Sequence, residues 1–436
     1  MRLDFLSFML DKARDIWLTA RGAAYARTTG RAAERWGPDA RLGYQNTRVQ
    51  ALIAFAARNV PYYSRLFADI GLDAGSFASV EDLKRLPVLE KKVVLEQQDQ
   101  FCSYESLRGS IRLRTSGTSG HPMQCYASTS QWVVEQGAIW RQWGWAGYRF
   151  RDRIAIIRSY RPKPGEPPVR VDRLRNWVYL SPYHLDRKTV REFLHFLRKW
   201  RPLFLRGYPS SLALVAQFAE EERISLPSLR GAFVASETLT PLHRAAVRDA
   251  FGIEIFDHYG QAEISCMLHE CEHHDGMHIL DDYAVVELQP TADPARFRLI
   301  ATNLHNTAMP LLRYDTGDVV RGALRQCKCG RSFPVVEAIE GRSDDNLTHA
   351  KGHALPSVNF YTFMSKLDGI RRFQVVQEAD GRIRVNLELK PPAGGAAGTV
   401  EGYFREATGQ PVEIDTGATF VQTGDGKCPA ILKRRT

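Results

Sequence analysis

Residues 115 to 122 read TSGTSGHP, with four hydroxyl side chains and two glycines in the first six positions, directly after the alternating stretch SIRLR. Gly117 and Gly120 open backbone angles closed to other residues, while Thr115, Ser116, Thr118 and Ser119 supply donors able to wrap oxyanions. That is phosphate chemistry, although Ser/Thr/Gly clusters also build ordinary surface turns. A second concentration lies later, in CMLHECEHHDGMH at 266 to 278 and CKCG at 327 to 330. Thiolates and imidazoles suit Zn²⁺, and a tetrahedral site takes four of them. The best set is Cys271, Cys327 and Cys329 with His273 as the fourth ligand, and Cys266 or His278 in reserve. The bland alternative is reduced core cysteines beside surface histidines. A zinc ion here would be structural, clamping the loop after Glu263 to the segment that leads into Arg342.

Elements able to position such groups follow from the hydrophobic pattern. RVQALIAFAARN and STSQWVVEQGAIWRQWGW have helical periodicity; RDRIAIIRSY, PLFLRGY, GAFVASE and IEIFDHYGQAE read as strands running into loops. Apolar strands alternating with amphipathic helices predict an α/β layered fold with ligand groups on the loops at strand ends. After residue 276 the texture turns strand-like, predicting a small β subdomain. Beyond GRSDD at 341 to 345 a small α+β unit follows, with a hairpin in FQVVQEADGRIRVNLEL and a helix after GGAAG. The expected domains are 1–342, with 1–60 as a helical cap or arm, and a mobile C-terminal lid at 343–436.

The chain has 436 residues, 44% hydrophobic and 25% charged, enough for a large core and more than one domain. A net charge of +10 spread along the chain, without any nucleic-acid-reading motif, argues against a nucleic-acid partner. Asp4 and Asp11 interrupt the apolar start and no apolar run reaches membrane-span length, so neither a secretory signal nor membrane contact is expected. Seven cysteines in a chain this long do not suggest a disulfide scaffold, and a reducing cytoplasm is the expected home.

Five stretches stand in order: TSGTSGHP, YGQAE at 259 to 263, LLRYDTGD at 311 to 318, GRSDD, and GDGK at 424 to 427. Together they resemble the adenylate-forming superfamily of acyl-CoA ligases, luciferases and carrier-protein loading domains. PYYSRLF, NTAMPLLRYDTGD and CKCGR place the resemblance nearest the phenylacetate-CoA ligase branch. The resemblance implies that Thr115, Ser116, Gly117, Thr118, Ser119 and Gly120 hold the β- and γ-phosphates of ATP, that Tyr259 stacks on adenine and that Glu263 binds Mg²⁺. It implies Asp318 as acceptor for both ribose hydroxyls, Arg342 as a contact to the ribose or phosphate, and Asp344 as the hinge of the small domain. Lys427 would stabilise charge building on the α-phosphate and the attacking carboxylate. His121 stands where relatives have Lys, so charge compensation would fall more on the metal and Arg114. Ser236-Glu237-Thr238 occupies the place of a Gly-rich segment lining the adenine and acyl pockets.

The implied reaction is activation of a carboxylic acid, aryl or arylacetic, by MgATP to an acyl-adenylate, followed by transfer to a thiol, with CoA as the expected acceptor. An amide- or ester-forming or carrier-protein-loading ligase, with an amine or acyl-carrier protein as acceptor, and a nucleotide-binding scaffold without turnover are the rival readings. Self-association as a homodimer is left open.

Overall fold

The structure is a computed structural model. It describes residues 2–434 apart from 116–122, 343–346, 356, 365, 390–394, 418 and 424–425, and gives backbone alone for 2–12, 342, 354, 358 and 362. The chain forms two compact units, each discontinuous: residues 1–147 with 259–339, and residues 148–258 with 340–436. The boundary expected at Ser343 falls among residues outside those described; the observed seam lies between Ile339 and Glu340, and 340–436 groups with 148–258.

In the first unit, helix Arg2–Tyr25 packs on helix Thr129–Trp145. The approach is close because both contact residues are glycine: a Cβ on Gly137 would lie 2.8 Å from the Gly22 carbonyl oxygen and 2.6 Å from the Tyr25 ring. Ser128 starts the second helix by accepting the Gln131 amide, satisfying one of the free N-terminal donors. Arg141 on that helix reaches Asp282 through two hydrogen bonds of 2.8 and 2.9 Å, both side chains buried, and Asp282 also accepts from Tyr25. Ile111–Arg114 pairs antiparallel with Gln124–Ala127. Strands Ala284–Pro290, Arg296–Asn303 and Tyr314–Arg321 form an antiparallel sheet. The last of these buries every second residue, the alternation expected of a strand with one covered face.

In the second unit, strands Ile154–Ile157, Phe204–Gly207, Gly231–Ala235 and Ile255–Gly260 run parallel. Trp177–Leu180 joins Ile154–Ile157 in parallel, and Val169–Asp172 closes that edge antiparallel. Ala155, Ile157, Leu205, Ala232, Val234 and Ile255 turn toward helices Arg187–Trp200, Pro209–Glu221 and Pro241–Phe251, forming one core. These helices start where sequence chemistry requires: Asp186 accepts the Thr189 amide at 3.0 Å, and Thr240 and His243 cap reciprocally.

The C-terminal part of this unit holds the expected hairpin, Ile370–Gln377 with Ile383–Leu389, flanked in parallel by Ile431–Lys433 and Val412–Asp415. Helices Ser357–Met364 and Ala396–Thr408 cover it through Phe360, Val400 and Phe404 against Val375 and Val385. Among the described residues, no helix is long and apolar enough to cross a membrane.

Candidate active site

Thr115 directly follows strand Ile111–Arg114 and is buried; its Oγ1 accepts the Met123 amide at 2.8 Å while its own amide donates to the Met123 carbonyl at 3.0 Å. Thr115 and Met123 are therefore pinned together. Ser116, Gly117, Thr118, Ser119, Gly120 and His121 themselves lie outside the described residues.

The YGQAE and LLRYDTGD stretches converge within the first unit. Tyr259 donates its phenol proton to Asp318 Oδ2 at 2.5 Å, and Gln261 Nε2 reaches the same oxygen at 3.2 Å. Burial and the adjacent Asp318 carboxylate hold the Tyr259 phenol well above its ordinary range, so it remains a donor. Asp318 sits on strand Tyr314–Arg321 after a turn in which its amide donates to Thr316 Oγ1 at 3.0 Å. Arg313, just before the strand, anchors it by a two-pronged pair with Glu287 at 2.9 and 2.7 Å.

Glu263 is buried at 4% exposure, and its Oε1 accepts from Lys91 Nζ at 3.0 Å and from the Tyr314 hydroxyl at 3.3 Å. Carboxylate oxygens are the hard donors Mg²⁺ takes, and Oε1 of Glu263 is here held by the Lys91 ammonium and the Tyr314 hydroxyl. Lys91 was not among the residues singled out from sequence. It opens a short helix, Lys91–Glu96, and nothing in EKKVVLE separates it from a solvated lysine.

Glu237 and Lys427 converge within the second unit. Ser236 turns the chain after strand Gly231–Ala235 with a left-handed φ of 74°. That turn directs Glu237 to the start of helix Pro209–Glu221, where its carboxylate accepts from the Ser210 amide and hydroxyl, both at 3.1 Å. The same carboxylate accepts the Cys428 amide at 3.0 Å. Burial pushes Glu237 up to about 7, partly offset by these three hydrogen bonds and by Lys427. Lys427 Nζ stands 6.0 Å from the centre of the Tyr208 ring. The preceding Gly426 has φ 81°, and a Cβ there would lie 3.0 Å from the Tyr183 ring, so glycine alone fits. Arg342 ends strand Ala338–Arg342, with its side chain outside the description, as is Asp344.

The three cysteines singled out from sequence come together in the structure, but with His278, the reserve donor, in place of His273. Cys271, His278, Cys327 and Cys329 place one ligand atom each within 4.8 Å of one another. Cys271 and Cys327 sulfurs are 3.8 Å apart, and Cys329 Sγ is 3.4 Å from His278 Nε2. His278 replaces His273 because strand Met277–Ile279 pairs His278 with Val335 on one side and His269 on the other, carrying it to the 327–335 segment. His273 lies on the exposed turn, and Cys266 is buried in a separate apolar core. His278 Nδ1 lies 3.1 Å from the Phe333 carbonyl, a partner that fixes the tautomer and leaves Nε2 for a ligand. Backbone amides of Cys329 and Arg331 approach Cys327 and Cys329 sulfurs at 3.5 Å. Burial pushes the Cys271 thiol up to about 12, so deprotonated thiols here require a compensating cation.

No family model matches the chain. It is 27% identical over 384 residues to the phenylacetate-coenzyme A ligase of Thermus thermophilus, covering 85% of this chain and 84% of that one. The CapK protein of Staphylococcus aureus is 24% identical, with 80% and 78% covered. Among solved structures, a 2-hydroxyisobutyryl-CoA ligase in the postadenylation state with its acyl-AMP superposes with a TM-score of 0.72, at 20% identity over 92% of this chain and 91% of that one. The chain is thus similar in sequence to phenylacetate-coenzyme A ligases and shares the fold of that 2-hydroxyisobutyryl-CoA ligase.

Proposed function

We propose that this protein activates a carboxylic acid with ATP, releasing pyrophosphate, and passes the acyl group from the resulting acyl-adenylate to a thiol, with CoA as the acceptor and AMP as the second product. The observation that carries this reading is the placing of Tyr259, Asp318 and Glu263: Tyr259 bonds to Asp318, and Glu263 bonds to Tyr314 on the strand that also carries Asp318, which brings an aromatic ring, a carboxylate fit for ribose hydroxyls and a hard oxygen donor to one strand. With nucleotide bound, Tyr259 would offer its ring to adenine. Asp318 would exchange its side-chain donors for the ribose diol.

Mg²⁺ held through Glu263 would supply charge neutralisation on the phosphates. Lys427 would stand over the reacting carboxylate and α-phosphate, an ammonium aimed where negative charge develops. Glu237 would act as a positioning residue, holding the Lys427 segment through the Cys428 amide. Arg342 and the 116–121 loop would complete the phosphate and ribose contacts. Residues 343–436 would swing about Asp344 between the two half-reactions, so that one site serves both.

The four-donor cluster would bind Zn²⁺ as a closed structural site, clamping the turn after Glu263 to the segment before Arg342. All seven cysteines are free, which fits a reducing cytoplasm. The deciding experiment is pyrophosphate release with MgATP across aryl, arylacetic, hydroxybenzoic and fatty acids. Release that depends on an acid, and then on CoA for thioester, supports the reading. ATP binding without acid-dependent release would favour a scaffold, and transfer to an amine or a pantetheinylated carrier in place of CoA would change the acceptor.

A further inference from the structure

The loops that enter the parallel sheet of the second unit concentrate positive charge at one end of it. Strands Ile154–Ile157, Trp177–Leu180 and Phe204–Gly207 lie side by side and parallel, so the segments before them meet. Direct bonds join those segments: Asn176 Nδ2 donates to the Arg151 carbonyl at 3.0 Å, and Arg153 Nη1 donates to the Trp200 carbonyl at 2.7 Å. The first segment reads Arg149-Phe150-Arg151, the second Arg173-Leu174-Arg175, and the third Arg198-Lys199-Trp200-Arg201. Phe150 and Leu174 are each 56% exposed. Singly such residues are ordinary, but here two stand in adjoining loops, each between two arginines.

Few acids offset this charge. Asp152 accepts the Arg149 amide at 2.8 Å, and Asp172 pairs with Arg175 at 3.0 Å. Among the described residues, the side chains of Arg149, Arg151, Arg173, Arg198, Lys199 and Arg201 have no acidic partner, and all six residues are exposed. Arg230, exposed before the parallel strand Gly231–Ala235, extends the row by one strand, and Glu254, before the next, ends it. Arg151 and Arg201 hold left-handed backbone, at φ 70° and 57°, which glycine takes freely and arginine only at a cost. The long cationic side chains stand there against the local preference.

We propose that this end of the sheet is a docking surface for an anionic lipid bilayer, with the arginines and Lys199 on the headgroup phosphates and Phe150 and Leu174 entering the headgroup boundary. Apolar tips set between arginines match such a surface in both charge and depth. The want of a membrane-length apolar run bears on crossing a bilayer, not on lying against one. An acidic carrier protein matches less well: Glu237 follows the opposite end of strand Gly231–Ala235 and accepts the Cys428 amide beside Lys427, so a carrier seated on Phe150 would hold its thiol away from the residues that the ligase reading uses. A nucleic acid would engage the arginines and give Leu174 no part. The docking surface itself is independent of the ligase reading.

The test is flotation of the full chain with vesicles of phosphatidylcholine alone and of phosphatidylcholine mixed with phosphatidylglycerol. Wild type should float with the anionic vesicles and not with the neutral ones, and raised salt should release most of it. Arg149→Gln combined with Arg151→Gln should weaken binding to the anionic vesicles about tenfold or more. Phe150→Ser combined with Leu174→Ser should weaken it about fivefold or more at unchanged net charge. Every substituted side chain is exposed; if one pair still fails to fold, the other pair and the salt series on wild type decide the outcome. Flotation with neither vesicle, equal flotation with both, or binding that ignores either folded pair overturns the proposal. Random-sequence duplex DNA is run beside the vesicles, and DNA binding that the arginine pair weakens while the vesicles stay unbound would assign the surface to nucleic acid instead.

Discussion

Glu237 accepts the amide of Cys428 at 3.0 Å, tying the turn after strand Gly231–Ala235 to the residue next to Lys427, which lies 190 positions further along the chain than Glu237. An acceptor of that kind orders a segment that has little regular structure of its own. Glu237→Ala is expected to slow pyrophosphate exchange about tenfold or more, while thioester formation from added acyl-adenylate changes little. Lys427→Ala should cost about 100-fold or more in the same exchange assay. Equal losses in both half-reactions would assign Glu237 to general stability instead.

The same carboxylate makes stability depend on pH. Its pKa is raised to about 7 in the folded chain from an ordinary 4.5, so the folded state binds this proton more tightly. The contribution is therefore greatest below 4.5 and is lost as pH rises through 4.5 to 7. After discounting for partial exposure, the loss is about 1–2 kcal/mol. Thermal melts of wild type and Glu237→Gln between pH 4.5 and 8 should diverge across that window in this direction, with the variant flatter.

One zinc per chain is expected by elemental analysis of protein prepared without added chelator. Cys329→Ser and His278→Ala should lower the melting temperature by several degrees, and prolonged chelation of wild type should do the same. His273→Ala should leave both metal content and melting temperature unchanged, because His273 sits on the exposed turn.

Lys91→Met removes the ammonium partner of a buried carboxylate. A loss of about 2–4 kcal/mol is expected in denaturant unfolding of the nucleotide-free protein, because Glu263 would be left with Tyr314 alone of its two donors on that oxygen. If Glu263 binds magnesium, saturating MgATP should restore much of that loss.

Regular elements were legible wherever the pattern was strong. FQVVQEADGRIRVNLEL contains both alternation and a turn, and it forms the hairpin. MHILDDYAVVELQP reads as one strand-like stretch yet folds as Met277–Ile279 and Ala284–Pro290, because Leu280 to Tyr283 turn between two sheets. The residues that converge over long distances were harder to see. Three cysteines were found from spacing, but the choice of His278 over His273 depends on strand register, which C-x-H spacing does not encode. Lys91 resembles every surface lysine. Arg149 to Arg151 and Arg173 to Arg175 read as ordinary surface loops, and gain meaning only from the parallel strands that set them side by side.

The four-donor cluster joins Cys271 to Cys327, 56 residues later, with Tyr314 and Asp318 on the chain between them. During translation the early cysteine emerges roughly 3–11 s before its partner. For that interval strand Tyr314–Arg321 belongs to an unclosed ring of chain. A metal held by the four donors would close that ring of chain only after Cys327 and Cys329 have been made, so that its supply would bear on folding once per polypeptide.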